Sequence, residues 1–132
     1  MSDARPDRSS DGRPPVAIGH VRHLVSDVGV STEYLVKLGL RLIHQSDTFA
    51  VLELRGGTHL VLRPAEEEID PGAKAPFDLM VDDVKAAREA YAGLGMQPSA
   101  IEDGRIHRWF HIVDPTGYEI TVTSSHTSGR AV

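Results

Sequence analysis

An α+β fold of two tandem βαβββ modules is predicted by three observations in the 132-residue sequence. Two strand-like runs that end in aspartate, "VAIGHVRHLVSD" and "PFDLMVDD", each precede a segment of helical periodicity closed by glycine. Three short β-rich runs separated by turn residues follow each helical segment. A charged stretch with Pro and Gly and no apolar face, "AEEEIDPGAKA", lies between the halves, so the second repeats the first in plan though not in wording.

Residues 1–15 mix Asp, Arg, Ser, Gly and Pro without periodicity and are expected to form a disordered tail. The first module is expected over 16–63. Its opening strand ends at Ser26–Asp27, where Asp27 can cap a helix carrying Val30, Tyr34 and Leu38 at helical spacing and a Glu33/Lys37 pair. Gly39 can stop that helix. "RLIHQSDT", "FAVLELRG" and "THLVLRP" read as three strands, the last two joined by a tight "GG" turn. Residues 64–75 read as a linker.

The second module is expected over 76–124, with a tail over 125–132. Asp83 repeats the capping aspartate, and "VKAAREAYAGLG" puts Val84, Ala87, Tyr91 and Leu94 on one side of a helix. "MQPSAIED", "RIHRWFHIV" and "YEITVTS" supply three strands. Asp-Pro-x-Gly between the last two is turn chemistry, since proline presets φ and glycine accepts angles that other residues resist.

Composition narrows the function classes. A net charge of −5 and the lack of a basic stripe argue against nucleic acid as a partner. No apolar run is long enough to span a bilayer, and the N-terminal residues lack the apolar centre of a signal peptide, so a cytoplasmic location is expected. The absence of cysteine removes disulfides, thiolate metal sites and cysteine nucleophiles together. Seven histidines provide metal ligands and proton carriers instead. Neither a nucleophile–histidine–acid triad nor a phosphate loop is legible.

The strings "GHVRHLVSDVGVSTEYLVKLGL" and "FHIVDPTGYEITV" resemble the vicinal oxygen chelate superfamily, which includes glyoxalase I, bleomycin-resistance proteins, fosfomycin-resistance enzymes, methylmalonyl-CoA epimerase and extradiol dioxygenases. The likeness covers nearly the whole chain after the tail. It implies a glyoxalase/bleomycin-resistance-type fold, a concave sheet cavity formed by uncovered sheet faces, and a homodimer. It does not deliver a reaction, because one fold hosts many chemistries.

In metal-dependent members the ligands come from the first and last strands of each module. The resemblance puts the first-strand ligand seven residues before the capping aspartate, which gives His20 in one module and Pro76 in the other. It puts the last-strand ligand four residues after the hairpin glycine, which gives Val61 and Thr121. Three of the four are unsuited to a divalent cation, so the chain reads as a divergent member with His20 as its one remaining metal ligand. Glu53 in "AVLEL" is a further candidate, but a two-residue turn pairs it with Leu60 on the other face from Val61.

Side chains two apart on a strand share a face. His59 and Glu119 lie two before the vacant positions, Arg22 two after His20, and Asp78 two after Pro76. A cavity lined by His20, Arg22, His59, Asp78 and Glu119 around Val61, Met80 and Thr121 is therefore expected, with an Arg22–Asp78 ion pair as one arrangement. Glu119 and His59 are the candidate catalytic acid–base groups. His23 should point toward the helix layer, and His107 should lie near the pocket mouth. With Val113 opposite Tyr118, Val113, His111 and Trp109 should face away from the cavity. His44 carries no assigned role, and His126 lies in the C-terminal tail.

Two functions follow. One is a protein that binds a small organic molecule between the modules without the standard metal site and with no cofactor. The other is a metal-dependent lyase, isomerase or dioxygenase of the glyoxalase type, with Zn, Ni or Fe on His20 and a displaced His59/Glu119 pair.

Overall fold

The structure, a computed structural model, describes residues 12–125. The first module comprises β1 (His20–Val25), α1 (Val28–Leu38), β2 (Arg41–Ser46), β3 (Phe49–Glu53) and β4 (His59–Pro64). The second comprises β5 (Leu79–Val81), α2 (Val84–Gly93), β6 (Glu102–Asp103), β7 (Arg108–Val113) and β8 (Glu119–Ser124). Each module is one four-stranded mixed sheet, ordered β1-β4-β3-β2 and β5-β8-β7-β6, with the first and last strands parallel. The tandem βαβββ plan and the α+β class are those expected. Among the described residues no helix is long and apolar enough to cross a membrane. Residues 1–11 and 126–132 of the expected tails, His126 with them, lie outside the described residues.

Both helices start as the aspartates dictate. The Asp27 carboxylate accepts from the Val30 N–H at 3.0 Å and Asp83 from Ala86 at 2.9 Å, satisfying an orphan donor in each first turn. Gly39, at φ 121°, closes α1. The buried side of α1 is Val28, Ser31, Thr32, Leu35 and Leu38 rather than the Val30–Tyr34–Leu38 line. Val30 is half-exposed, and Tyr34 instead donates to the Val113 carbonyl of the other module at 3.3 Å. Leu94 caps α2 and is exposed rather than packed.

Other departures are local. β1 begins at His20, and residues 16–19 lie outside it, although the Gly19 carbonyl accepts from the His59 N–H of β4 at 2.8 Å. Of the run expected over 96–103, only Glu102–Asp103 forms a strand: Gln97 takes φ 53°, Pro98 offers no N–H, and Ser99 meets β7 through an isolated bond from its N–H to the His111 carbonyl at 2.9 Å. The end of the 64–75 segment runs alongside β8: Ala75 N–H donates to the Glu119 carbonyl at 3.0 Å, and Glu119 N–H to that of Ala73 at 2.8 Å.

The helix-side faces of the two sheets meet in one core. Leu35, Leu52, Leu60 and Leu62 from the first module and Phe110, Ile112, Ile120 and Val122 from the second are almost wholly buried in a single cluster. The Tyr91 hydroxyl crosses from α2 to the Leu38 carbonyl at the end of α1, 3.1 Å away. The modules also clasp each other reciprocally. The end of β1 meets the β7–β8 turn, where Ser26 N–H donates to Thr116 Oγ1 at 3.1 Å. The end of β5 meets the equivalent β3–β4 turn, where Arg55 pairs with Asp82 through two hydrogen bonds of 3.0 and 3.1 Å.

Candidate functional site

Away from the helices, each sheet presents an open face. On the first sheet His20 lies opposite His59, His59 opposite Glu53, and Glu53 opposite Arg41, so these four form one row. The His20 and His59 ring centres are 5.9 Å apart. His59 Nε2 is 3.9 Å from one Glu53 oxygen, while Arg41 donates to the other at 3.0 Å. The next row is Arg22, Val61, Val51 and His44. His20 and His59 are thus level and side by side.

Glu53 belongs to this face, contrary to its expected pairing with Leu60. The "GG" segment forms no two-residue turn. Arg55–Gly57 make a 3-10 turn, and Leu54 N–H donates to the Thr58 carbonyl at 2.8 Å. Five residues then separate the paired Glu53 and His59, and that one-residue change of register moves the carboxylate to the other face.

The second module makes the same turn, closed by Asp114 N–H to the Tyr118 carbonyl at 2.9 Å. Val113 therefore pairs with Glu119, not Tyr118, so His111 and Trp109 share the open face with Glu119, Thr121 and Thr123. His111 stands between two carboxylates, Nε2 3.9 Å from Glu119 and Nδ1 3.9 Å from Glu102. Lys74 Nζ lies 3.5 Å from Glu119.

A cavity of about 350 Å³ lies between the modules. Its apolar wall is Ile18, Val21, Leu54, Leu60, Phe77 and Met80. Thr58, Arg55 and Asp78 supply the polar groups. The expected Asp78 and Met80 therefore lie together on this cavity, with residues of the helix side of β1 and β4. Arg22 and Asp78 form no ion pair among the described residues.

The origin of the cavity is a size difference between equivalent positions. Thr58 and Tyr118 each follow the turn before the last strand and close it with the same carbonyl contact. Tyr118 fills its half of the intermodule junction, its hydroxyl donating to the Leu24 carbonyl at 2.8 Å and its ring 4.6 Å from that of His23. Thr58 ends in a short hydroxyl that donates to the Ile18 carbonyl at 2.6 Å, leaving space beside Val21 and Phe77. Comparison of "RGGTHLV" with "DPTGYEIT" carries this signal in the sequence.

On the filled side, His23 points into the helix layer as expected and is 1% exposed. Its Nε2 is 3.4 Å from Asp114 Oδ2, and Phe77 meets the ring edge-on at 5.1 Å. Asp114 Oδ1 accepts from the N–H groups of Thr116, Gly117 and Tyr118. Burial, with the Asp114 carboxylate beside it, pushes the Tyr34 hydroxyl up to about 12. Burial likewise raises Tyr91 and Tyr118, the latter helped by Asp114.

The four positions at which the resemblance leads one to expect metal ligands contain His20, Val61, Pro76 and Thr121, one nitrogen donor among side chains that bind no divalent cation well. Among the described residues no three His, Asp or Glu side chains converge to replace them. The donor set does not fit a divalent metal. His107 sits against the Trp109 ring, 5.4 Å between centres.

No family model matches the sequence, and no curated protein matches it either. Solved structures are similar over nearly their full lengths. A lactoylglutathione lyase from Agrobacterium tumefaciens superposes with a TM-score of 0.71 at 18% identity, covering 89% of this chain and 99% of its own. A glyoxalase/bleomycin resistance protein/dioxygenase from Alicyclobacillus acidocaldarius gives 0.66 at 17%, covering 91% and 99%. A member of the same superfamily from Sphaerobacter thermophilus gives 0.68 at 18%, covering 83% and 98%.

Proposed function

We propose that this chain, which has the vicinal oxygen chelate fold of the glyoxalase/bleomycin resistance/dioxygenase superfamily, binds a small organic molecule in the cavity between its modules and does so without a metal. The apolar space beside Thr58 carries this reading. A volume of about 350 Å³ is within the usual range for small-molecule sites, and its wall is apolar with a few polar groups, as such sites require. The donor set at the family's metal positions supports the metal-free part. Thermal-shift screening against small amphiphiles tests the reading. A midpoint that rises with ligand concentration is the expected sign of specific binding, and a flat response across the panel would overturn it.

The protein acts as a homodimer in this proposal. Leu24, Met80 and Val113 leave apolar surface exposed on the open faces. The first face carries Arg22, Arg41 and Arg63 against Glu53, whereas the second carries Glu102 and Glu119 against Lys74. One copy's first face complements another's second face, and sedimentation at low and high salt reads this directly.

A second reading is favoured by the His20–His59–Glu53 row. An imidazole 3.9 Å from a carboxylate can exchange a proton with a ligand lying on the open face, with Glu119 performing the same work on the second sheet. His59→Gln abolishing turnover of a substrate whose binding it leaves unchanged would select this reading.

A further inference from the structure

We propose that the intermodule cavity selects organic cations, with Asp78 as their counter-ion. The inference rests on the proposed binding role of that cavity and adds the chemical class of the ligand.

Charge at the cavity is unbalanced in one direction. Arg55, its one cationic lining residue among the described residues, is held by Asp82 through two parallel hydrogen bonds of 3.0 and 3.1 Å. Asp78, on the same lining, has no cationic partner among the described residues. Taken together, Arg55, Asp82 and Asp78 leave one negative charge next to an apolar wall of Val21, Leu54, Leu60 and Phe77. The protein's net charge of −5 acts in the same sense at longer range. A ligand with an apolar body and a protonated amine satisfies both features. A carboxylate on the same body meets Asp78 as a like charge, and a neutral alcohol gains only the apolar wall.

Asp78 is exposed, so its contribution is a preference rather than the bulk of the affinity. Burial of the apolar body drives binding, and the ion pair ranks ligands of equal size. An exposed pair of this kind corresponds to a preference of about two- to five-fold, eroded by salt.

The test compares three probes with one apolar body, octylammonium, octan-1-ol and octanoate, by calorimetric titration at low and high salt. The proteins are the unmodified chain, Asp78→Asn and Thr58→Tyr. The expected order is ammonium, then alcohol, then carboxylate, with the gap shrinking in salt. Asp78→Asn should bring the ammonium and alcohol together while alcohol binding persists, and Thr58→Tyr should weaken all three. If Asp78→Asn keeps the preference, or octanoate binds as tightly as octylammonium, the assignment to Asp78 is overturned while the cavity stands. If none of the three binds, or Thr58→Tyr leaves their binding intact, the cavity reading falls and the preference with it.

Discussion

His23 on β1 and Asp114 on the β7–β8 turn, 91 residues apart in sequence, meet through a contact of 3.4 Å in the interior. With its proton on Nε2, His23 donates to the carboxylate and leaves Nδ1 as a buried acceptor without a partner among the described residues. Asp114 simultaneously orders its own turn through three backbone donors. Asp114→Ala therefore strips four contacts at once and should destabilise the fold by about 2–4 kcal/mol. Asp114→Asn keeps an oxygen for the turn and should cost less. Urea unfolding checks the ranking, and equal losses for the two variants would contradict it.

Thr58→Tyr should be tolerated by the fold, because Tyr118 already occupies the equivalent place in the other module. The added ring fills space beside Val21 and Phe77. Binding of small amphiphiles should fall at least about ten-fold, with a thermal midpoint unchanged or raised. A large drop in the midpoint would show that the space is not available to a side chain.

Alkaline stability follows from the tyrosines. Tyr34, Tyr91 and Tyr118 hold their protons more tightly folded than unfolded. Between the ordinary tyrosine value and about 12, the folded state therefore binds more protons, and stability declines as pH rises through that window. Below it the contribution is fully present. Unfolding midpoints should drop on the alkaline side, and Tyr34→Phe should flatten the slope. A pH-independent midpoint there would contradict this.

Metal binding supplies a fourth check. Elemental analysis of protein purified without added metal should find zinc, nickel and iron well below one equivalent, and His20→Ala should change nothing. Stoichiometric metal that disappears in the variant would overturn the metal-free reading.

The duplicated strand–helix plan was legible because its signals are local: capping aspartates at Asp27 and Asp83, glycine stops and alternating strands. The faces of Glu53 and His111 were not. Each depends on the length of one turn, and a single residue of register reverses every side chain that follows. The pairing of His20 with His59 was half legible, since parity gave the face while relative level required the parallel register of β1 and β4. Asp78 and Met80 were named in the sequence, but their cavity neighbours Val21, Leu60 and Phe77 were not. Those three are ordinary apolar residues whose role depends on what Thr58 leaves unfilled.

The single core shared by both halves has a consequence for how the chain can be divided. Ala73 and Ala75, on the segment joining the modules, bond with the first residue of β8. The Tyr91 hydroxyl of one half is held by the Leu38 carbonyl of the other, and the buried side chains of both halves form one cluster. The internal duplication has therefore lost its seam: cut between the modules, the chain would yield two fragments with bare apolar faces rather than two small domains.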